Sequence, residues 1–514
     1  MSDRTEDVDR DGKHIVMIVA NGVTGDSRVQ KTARSAREAG YAVTVIGVAK
    51  SGERTVETVD DVRVVRVPIA YVLTDGAKLE GQPRAVASRA RAFLKPKMQA
   101  RRARVTRTQE YLDNLLALGA DRAECRPLRL SIRADEVTLL AGKAVFRGLE
   151  RAAQRDARRA RLEEPDAAER ERKAYRAKLS DIGNAFLAEL EGTDFDLIHA
   201  HDFAMIECAR QAVDKVATSS GRPPFVYDAH EWVRGLTYLP LGRQPVVVEA
   251  EARNIRSADA VVTVSPILAD RLRHENSLDE TPQVVLNAPV AGAFDRSSKQ
   301  SVRTQAGLPE GTPLAVYSGG VHQSRGVVTI IRSLPLVPEI HLAIVAISAR
   351  SAGVSALLAE AAQLDCADRV HVVPFVAPDE VSSYLRTADV GVHPLLRSGN
   401  AELALPNKLF EYLHAGLPMV VSDMPSMAGM VRRHGWGEVF SAGEPQSLAD
   451  ALRKVLADPN FYAAPLGDVA VRERFSWERQ AETLVRTYDR LIPGVATNNT
   501  NDVAAGADGS AGTG

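Results

Sequence analysis

The sequence predicts an α/β protein of two doubly wound domains, with a helical insertion in the first. Three observations carry this. Short apolar runs that suit buried parallel strands recur in two series, each alternating with helical patterns. At 514 residues the chain exceeds what one core holds. Between the early strands lies a long Ala-, Arg-, Leu- and Glu-rich stretch whose composition favours helix.

The first run, His14 to Ala20, leads through the turn Asn21 to Gly25 into a helix that starts at Asp26 or Ser27 and ends before Gly40. Ala42 to Ile46 is the next strand, so the segment reads as a β-α-β unit with a right-handed crossover. Later strands are expected at 195–200, 224–228, 258–264 and 284–286. The second series runs through 313–317, 341–345, 370–373, 390–392 and 418–421. The domains expected are therefore 13–288, with 73–190 as its insertion, and 289–474, followed by a helix over 475–493. Residues 1–12 and 494–514 offer little to bury and are expected to be disordered.

A formal net charge of −1 excludes a whole-molecule electrostatic attraction to nucleic acid. Three scattered cysteines, Cys125, Cys208 and Cys366, imply a reducing compartment without a disulfide framework. The N-terminus lacks the apolar core of a signal peptide, and no stretch is apolar enough to span a membrane, so a cytoplasmic protein is expected. Residues 91–110 hold seven basic side chains against one acid, Glu110. They read either as a solvated helix face or as a surface for anionic lipid at the inner membrane face.

The strongest chemical signal is Pro406-Asn407-Lys408-Leu409-Phe410-Glu411-Tyr412. Pro406 and Asn407 open a helix whose first turn offers free N–H groups and Lys408 to an anion. Glu411, one turn in, suits the hydroxyls of a ribose. A second, weaker signal is Tyr317-Ser318-Gly319-Gly320, with Arg325 before the next helix; its glycines let backbone approach a phosphate. It matches neither G-x-G-x-x-G nor a Walker loop. Asp194-Phe195-Asp196 has D-x-D metal spacing but leads into a strand, and His230-Glu231 lacks the second histidine of a zinc protease helix, so no metal is expected.

Together these segments resemble the GT-B glycosyltransferases, specifically family 4-like enzymes of the Pro-Asn-Lys-Leu-Phe-Glu-Tyr subgroup. The resemblance covers the chain apart from the insertion and both tails. It implies two facing Rossmann-like domains, and a donor site of Ser318, Gly319, Gly320, Asn407 and Glu411. His201, Arg325 and Lys408 would carry the catalysis. Arg325 falls at the family loop's lysine and Gly320 at its usual arginine. Glu411 matches the second glutamate of the family's E-x7-E; the first falls at Leu403, with Glu402 or Asn400 as substitutes. Asp26-Ser27-Arg28-Val29 looks like the subgroup's start, and His199-Ala200-His201-Asp202 and Tyr227-Asp228-Ala229-His230-Glu231 follow strands where ligands bind. Arg28, His230, Glu231, Asn400 and Glu402 are thus candidate sugar or acceptor contacts, although either histidine pair also serves simply to cap a strand. Asn287-Ala288-Pro289 looks like the interdomain hinge.

The activity implied is transfer of a sugar from a nucleoside diphosphate donor to a hydroxyl acceptor, lipid-linked in one reading. Retention of configuration and a role in glycan or glycoconjugate synthesis come with the resemblance, and no cofactor is expected. The rival readings are a sugar-nucleotide epimerase or hydrolase and a degenerate, non-catalytic binding subunit.

Overall fold

The computed structural model describes residues 12–74, 167–291 apart from 220, 237–238 and 241, and 300–493, with 8–9, 495–496 and short helical pieces between 105 and 138. Most of the expected insertion, including the seven basic residues of 91–110, lies outside the described residues, as do most of the two expected disordered ends. Two short strands do fall inside those ends. β1 (Val8–Asp9) pairs antiparallel with Val495–Ala496, a backbone contact that asks nothing of side-chain burial.

An eight-stranded sheet comprises β2 (His14–Val19), β3 (Ala42–Val48), β4 (Thr55–Val59), β5 (Val62–Val67), β6 (Leu197–His201), β7 (Phe225–Ala229), β8 (Ala260–Thr263) and β9 (Gln283–Val284). Its order is β4-β5-β3-β2-β6-β7-β8-β9, parallel except for the β4–β5 hairpin. The second sheet has six parallel strands: β10 (Leu314–Ser318), β11 (His341–Ala346), β12 (Val370–Pro374), β13 (Val390–His393), β14 (Met419–Ser422) and β15 (Gly437–Phe440), in the order β12-β11-β10-β13-β14-β15. The two doubly wound sheets bear out the fold class. The β4–β5 hairpin and β15 were not expected. β4 is exposed at every position and so carries no apolar pattern, and β15 is short and only half-buried.

Each sheet reverses its winding once. The switch lies between β2 and β6 in the first and between β10 and β13 in the second, and such points open crevices at the carboxyl ends of strands. Side chains pack both faces of each sheet. The helix Ser27–Glu38 is capped by Asp26, whose side chain accepts from Val29 N. The last helix, Trp477–Leu491, packs Trp477, Ala481, Leu484 and Tyr488 into the first domain's core. Trp477 N donates to Pro289 O at 2.7 Å and its indole N–H to Ser35 Oγ at 2.9 Å.

Residues Tyr71–Asp181 with Leu241–Arg243 form a separate compact unit. Within it, Asp181 accepts from the backbone N–H groups of Leu73 and Thr74, and Arg243 pairs with Glu171 and lies over the Tyr175 ring. No helix among the described residues is long and apolar enough to cross a membrane.

Candidate active site

At the second sheet's switch point the chain brings together the two segments singled out by sequence. Ser318 ends β10, and the loop through Gly319, Gly320 and Arg325 leads to Gly326, whose φ is +67°. Gly326 is required there: a Cβ would lie 1.9 Å from Pro394 O, because the loop docks on the 394–396 segment through Leu396 N donating to Ser324 O. Arg325 is exposed beside the crevice. The helix Asn407–Ala415, with Pro406 as N-cap and Gly416 in the left-handed region as C-cap, stands over the same end of the sheet.

Lys408 and Glu411 occupy successive turns of that helix. Lys408 Nζ donates to both carboxylate oxygens of Glu411, at 2.9 and 2.8 Å. Both side chains are partly buried, and the cation and the carboxylate satisfy each other. Lys408 Cε lies 3.7 Å from where a Cβ on Gly319 would stand, which ties the helix start to the glycine loop. Asn407 is the first helical residue, half-buried beside them. Tyr412 anchors the arrangement from below. Its ring lies against Gly391, where a Cβ would clash at 2.6 Å, and its hydroxyl lies 3.3 and 3.2 Å from the carbonyl oxygens of Val316 and Val392.

In the first domain, His201 ends β6 at the other switch point and pairs in register with Val19. It is fully buried and stacked on His199 with ring centroids 4.2 Å apart. Asp202 follows with φ +66°, a left-handed conformation that aspartate tolerates and that is common at functional turns. Arg28, expected as a substrate contact, is buried instead in a bidentate pair with Asp228. Nε and Nη2 each donate to the carboxylate at 2.8 Å, and Nη1 donates to Val285 O. Each of its three guanidinium nitrogens thus has a partner within the protein, and Arg28 is tied to Asp228.

Asp228 is the hub that sequence reading passed over. Its Oδ2 lies 3.8 Å from His199 Nε2, 3.4 Å from His201 Nδ1 and 3.3 Å from His230 Nε2. Burial would raise this carboxyl, but the Arg28 guanidinium beside it holds it well below the usual range. Burial lowers His199 and His201, and keeps them neutral. His230 is raised: burial opposes its charge, and the Asp228 carboxylate outweighs it. His230 is also the one of the three with an exposed edge, its side chain 19% accessible. His199, His201 and Asp228 have ligand spacing for a metal ion, but Arg28 already neutralises the carboxylate, so a dication there would lie beside a buried guanidinium.

The cleft-side loops of the two domains touch. Trp232 N donates to Asn400 Oδ1 at 2.8 Å, and the backbones of Gly235 and Gly399 are so close that a Cβ on Gly399 would meet Gly235 Cα at 2.9 Å. Asn400 is thus held by the first domain, Glu231 stands half-buried next to Trp232, and Glu402 lies 4.0 Å from Arg397. Leu403 is buried in the first domain's core cluster, and its carbonyl accepts from Ser265 Oγ at 2.6 Å and Ser426 Oγ at 3.0 Å. Near the hinge, Lys31 Nζ donates to Asn287 Oδ1 at 2.8 Å and to Ala288 O.

One switch point carries the buried histidine–aspartate cluster and the other the Lys408–Glu411 helix start, and comparison with known proteins gives the class of this two-sheet architecture, that of the GT-B glycosyltransferases. Residues 312–458 match the family model "Glycosyl transferases group 1" and residues 130–290 match "Glycosyltransferase Family 4", together more than half of the chain. A D-inositol 3-phosphate glycosyltransferase of Mycolicibacterium gilvum is 24% identical over 61% of this chain and 70% of its own. Among solved structures, sucrose-phosphate synthase from Thermosynechococcus elongatus superposes with a TM-score of 0.60 at 15% identity, over 93% of this chain and 99% of its own. Anabaena HepE in complex with UDP-glucose does so with a TM-score of 0.57 at 14% identity, over the same shares. The chain belongs to the family 4-type GT-B glycosyltransferases.

Proposed function

We propose that this glycosyltransferase binds a nucleoside diphosphate sugar at the second domain's switch point and transfers its sugar to a hydroxyl acceptor. The observation that carries this is the Lys408–Glu411 pair at the start of the Asn407–Ala415 helix, facing the Ser318–Gly320 loop. A donor would separate the pair. Glu411 takes the ribose hydroxyls, while Lys408, Arg325, the Asn407 end of the helix and the backbone of Gly319 and Gly320 take the diphosphate. As the glycosidic bond breaks, negative charge grows on the departing diphosphate, and these fixed cations and N–H groups stabilise it. That HepE is seen with UDP-glucose supports the donor class.

Retention is part of the proposal and rests on the resemblance, with the leaving phosphate taking the acceptor's proton on the same face. His201 acts from beneath, through the Asp228 cluster, and His230 is the side chain of that cluster able to reach a sugar. The reaction is proposed to run without a metal or cofactor. D-inositol 3-phosphate, named for the relatives, heads the acceptors to screen.

Isothermal titration of the full chain with UDP, GDP and their sugars tests the site. At least one should bind, and Glu411→Ala should weaken it roughly 10- to 100-fold. No binding of any donor would favour the non-catalytic subunit, and unaltered binding by the variant would remove Glu411 from the site. A cytoplasmic enzyme held peripherally to anionic membrane completes the proposal, resting on the basic composition of 91–110. Recovery with anionic liposomes in flotation should exceed recovery with neutral ones; equal recovery would discard membrane attachment.

A further inference from the structure

His393 ends β13, one strand from Ser318 across the switch point. Val316 pairs with Gly391 in the parallel register, so Ser318 and His393, two residues on in each strand, point to the same face. That face carries the Asn407–Ala415 helix, because Tyr412 lies against Gly391. His393 is 3% exposed, Ser318 is fully buried, and neither ring nitrogen of the histidine nor the serine Oγ has a hydrogen-bond partner within the protein. Nearly all buried polar groups in folded proteins are partnered, and an orphaned one is costly to keep. Two such side chains at the same level of adjacent strands, under the crevice where a ligand is expected, point to a ligand as the missing partner.

The charges around the imidazole narrow its role. Burial, then Arg325 and Lys408, push His393 down to about 3. It is therefore neutral at working pH, with one N–H to give. Arg325 and Lys408 are the cations whose charge the ring feels, and an anion is the ligand that both they and the ring's N–H attract.

We propose that His393 is a donor-site residue whose neutral ring donates a hydrogen bond to the diphosphate of the sugar nucleotide, with Ser318 Oγ beside it. This rests on the donor-site reading above. It adds a neutral donor that fixes the position of the phosphates without adding charge to a site that already holds two cations.

The test compares His393→Leu, which keeps bulk and removes the donor, with His393→Gln, which restores an N–H. Titration of the full chain uses whichever of UDP and GDP the wild type binds. The leucine variant should bind about tenfold or more weakly, and the glutamine variant within about threefold of wild type. Unchanged affinity in the leucine variant, or equal weakening in both, would overturn the proposal, the latter showing a packing role. Should the leucine variant melt early, 15N spectra of the wild-type histidine rings decide. The His393 ring signals should remain those of a neutral imidazole at pH 7 and shift on saturation with nucleotide; no shift would overturn the assignment. Failure of the wild type to bind either nucleotide, or unaltered binding by Glu411→Ala, would instead remove the donor site itself.

Discussion

At the scale of single residues, the site depends on side chains whose charge is set by burial. His393 illustrates the consequence for stability. In the unfolded chain a histidine titrates near 6.5, whereas in the fold it is held down to about 3. Between these values the unfolded chain binds a proton that the folded one refuses, so stability rises with pH. The contribution is complete above about pH 6.5 and is lost as pH falls towards 3, at roughly 1.4 kcal/mol per pH unit in mid-window. His393→Gln should remove this term. Urea unfolding at pH 7.5 and pH 5 should show wild type losing roughly 2 kcal/mol more than the variant over that interval. Equal losses would mean that the ring is already charged in the fold. Sequence reading could not have seen this residue's importance, because one histidine after Val-Gly-Val reads as a strand end. Its meaning comes from Arg325 and Lys408, which are 68 and 15 positions away.

At the scale of elements, legibility followed the hydrophobic pattern. β2, β3, β10, β11 and β13 stood out because parallel strands buried on both faces read as unbroken apolar runs. The Asn407–Ala415 helix was framed by Pro406 and by Gly416, which adopts φ +69°. β4 was lost for the opposite reason: all five residues of Thr55–Val59 are exposed, so nothing in Thr-Val-Glu-Thr-Val points to one buried side. The turn after it uses Asp60 and Asp61 at positive φ, where glycine or asparagine is the usual sign. The Arg28–Asp228 pair was illegible for a different reason. Its members are 200 positions apart, and only the sheet order places the start of the Ser27–Glu38 helix beside the end of β7. Arg28 was read from its motif as a substrate contact. The resemblance alone implied that contact, and the fold shows Arg28 paired with a buried carboxylate.

At the scale of the whole molecule, the residue that departs from the family pattern becomes part of the interdomain seam. Leu403 stands where the resemblance places a glutamate, and it is 5% exposed and belongs to the first domain's apolar cluster. Ser265 from the first domain and Ser426 from the second both donate to its carbonyl, and Asn400 three residues earlier accepts from Trp232 N. The segment for which the resemblance implies a sugar contact therefore holds the first domain. Restoring the family residue with Leu403→Glu should then fail as a repair. A carboxyl group in that apolar cluster is taken out of water, and it should cost at least about 3 kcal/mol. The same change should loosen the seam, so small-angle scattering should report a larger radius of gyration than wild type. Leu403→Ala, which leaves a cavity without a buried charge, should destabilise by roughly 2–5 kcal/mol and open the seam less. A Leu403→Glu protein as stable as wild type, with unchanged radius and tighter donor binding, would show that position 403 faces the donor after all and that the seam is not what holds the cleft.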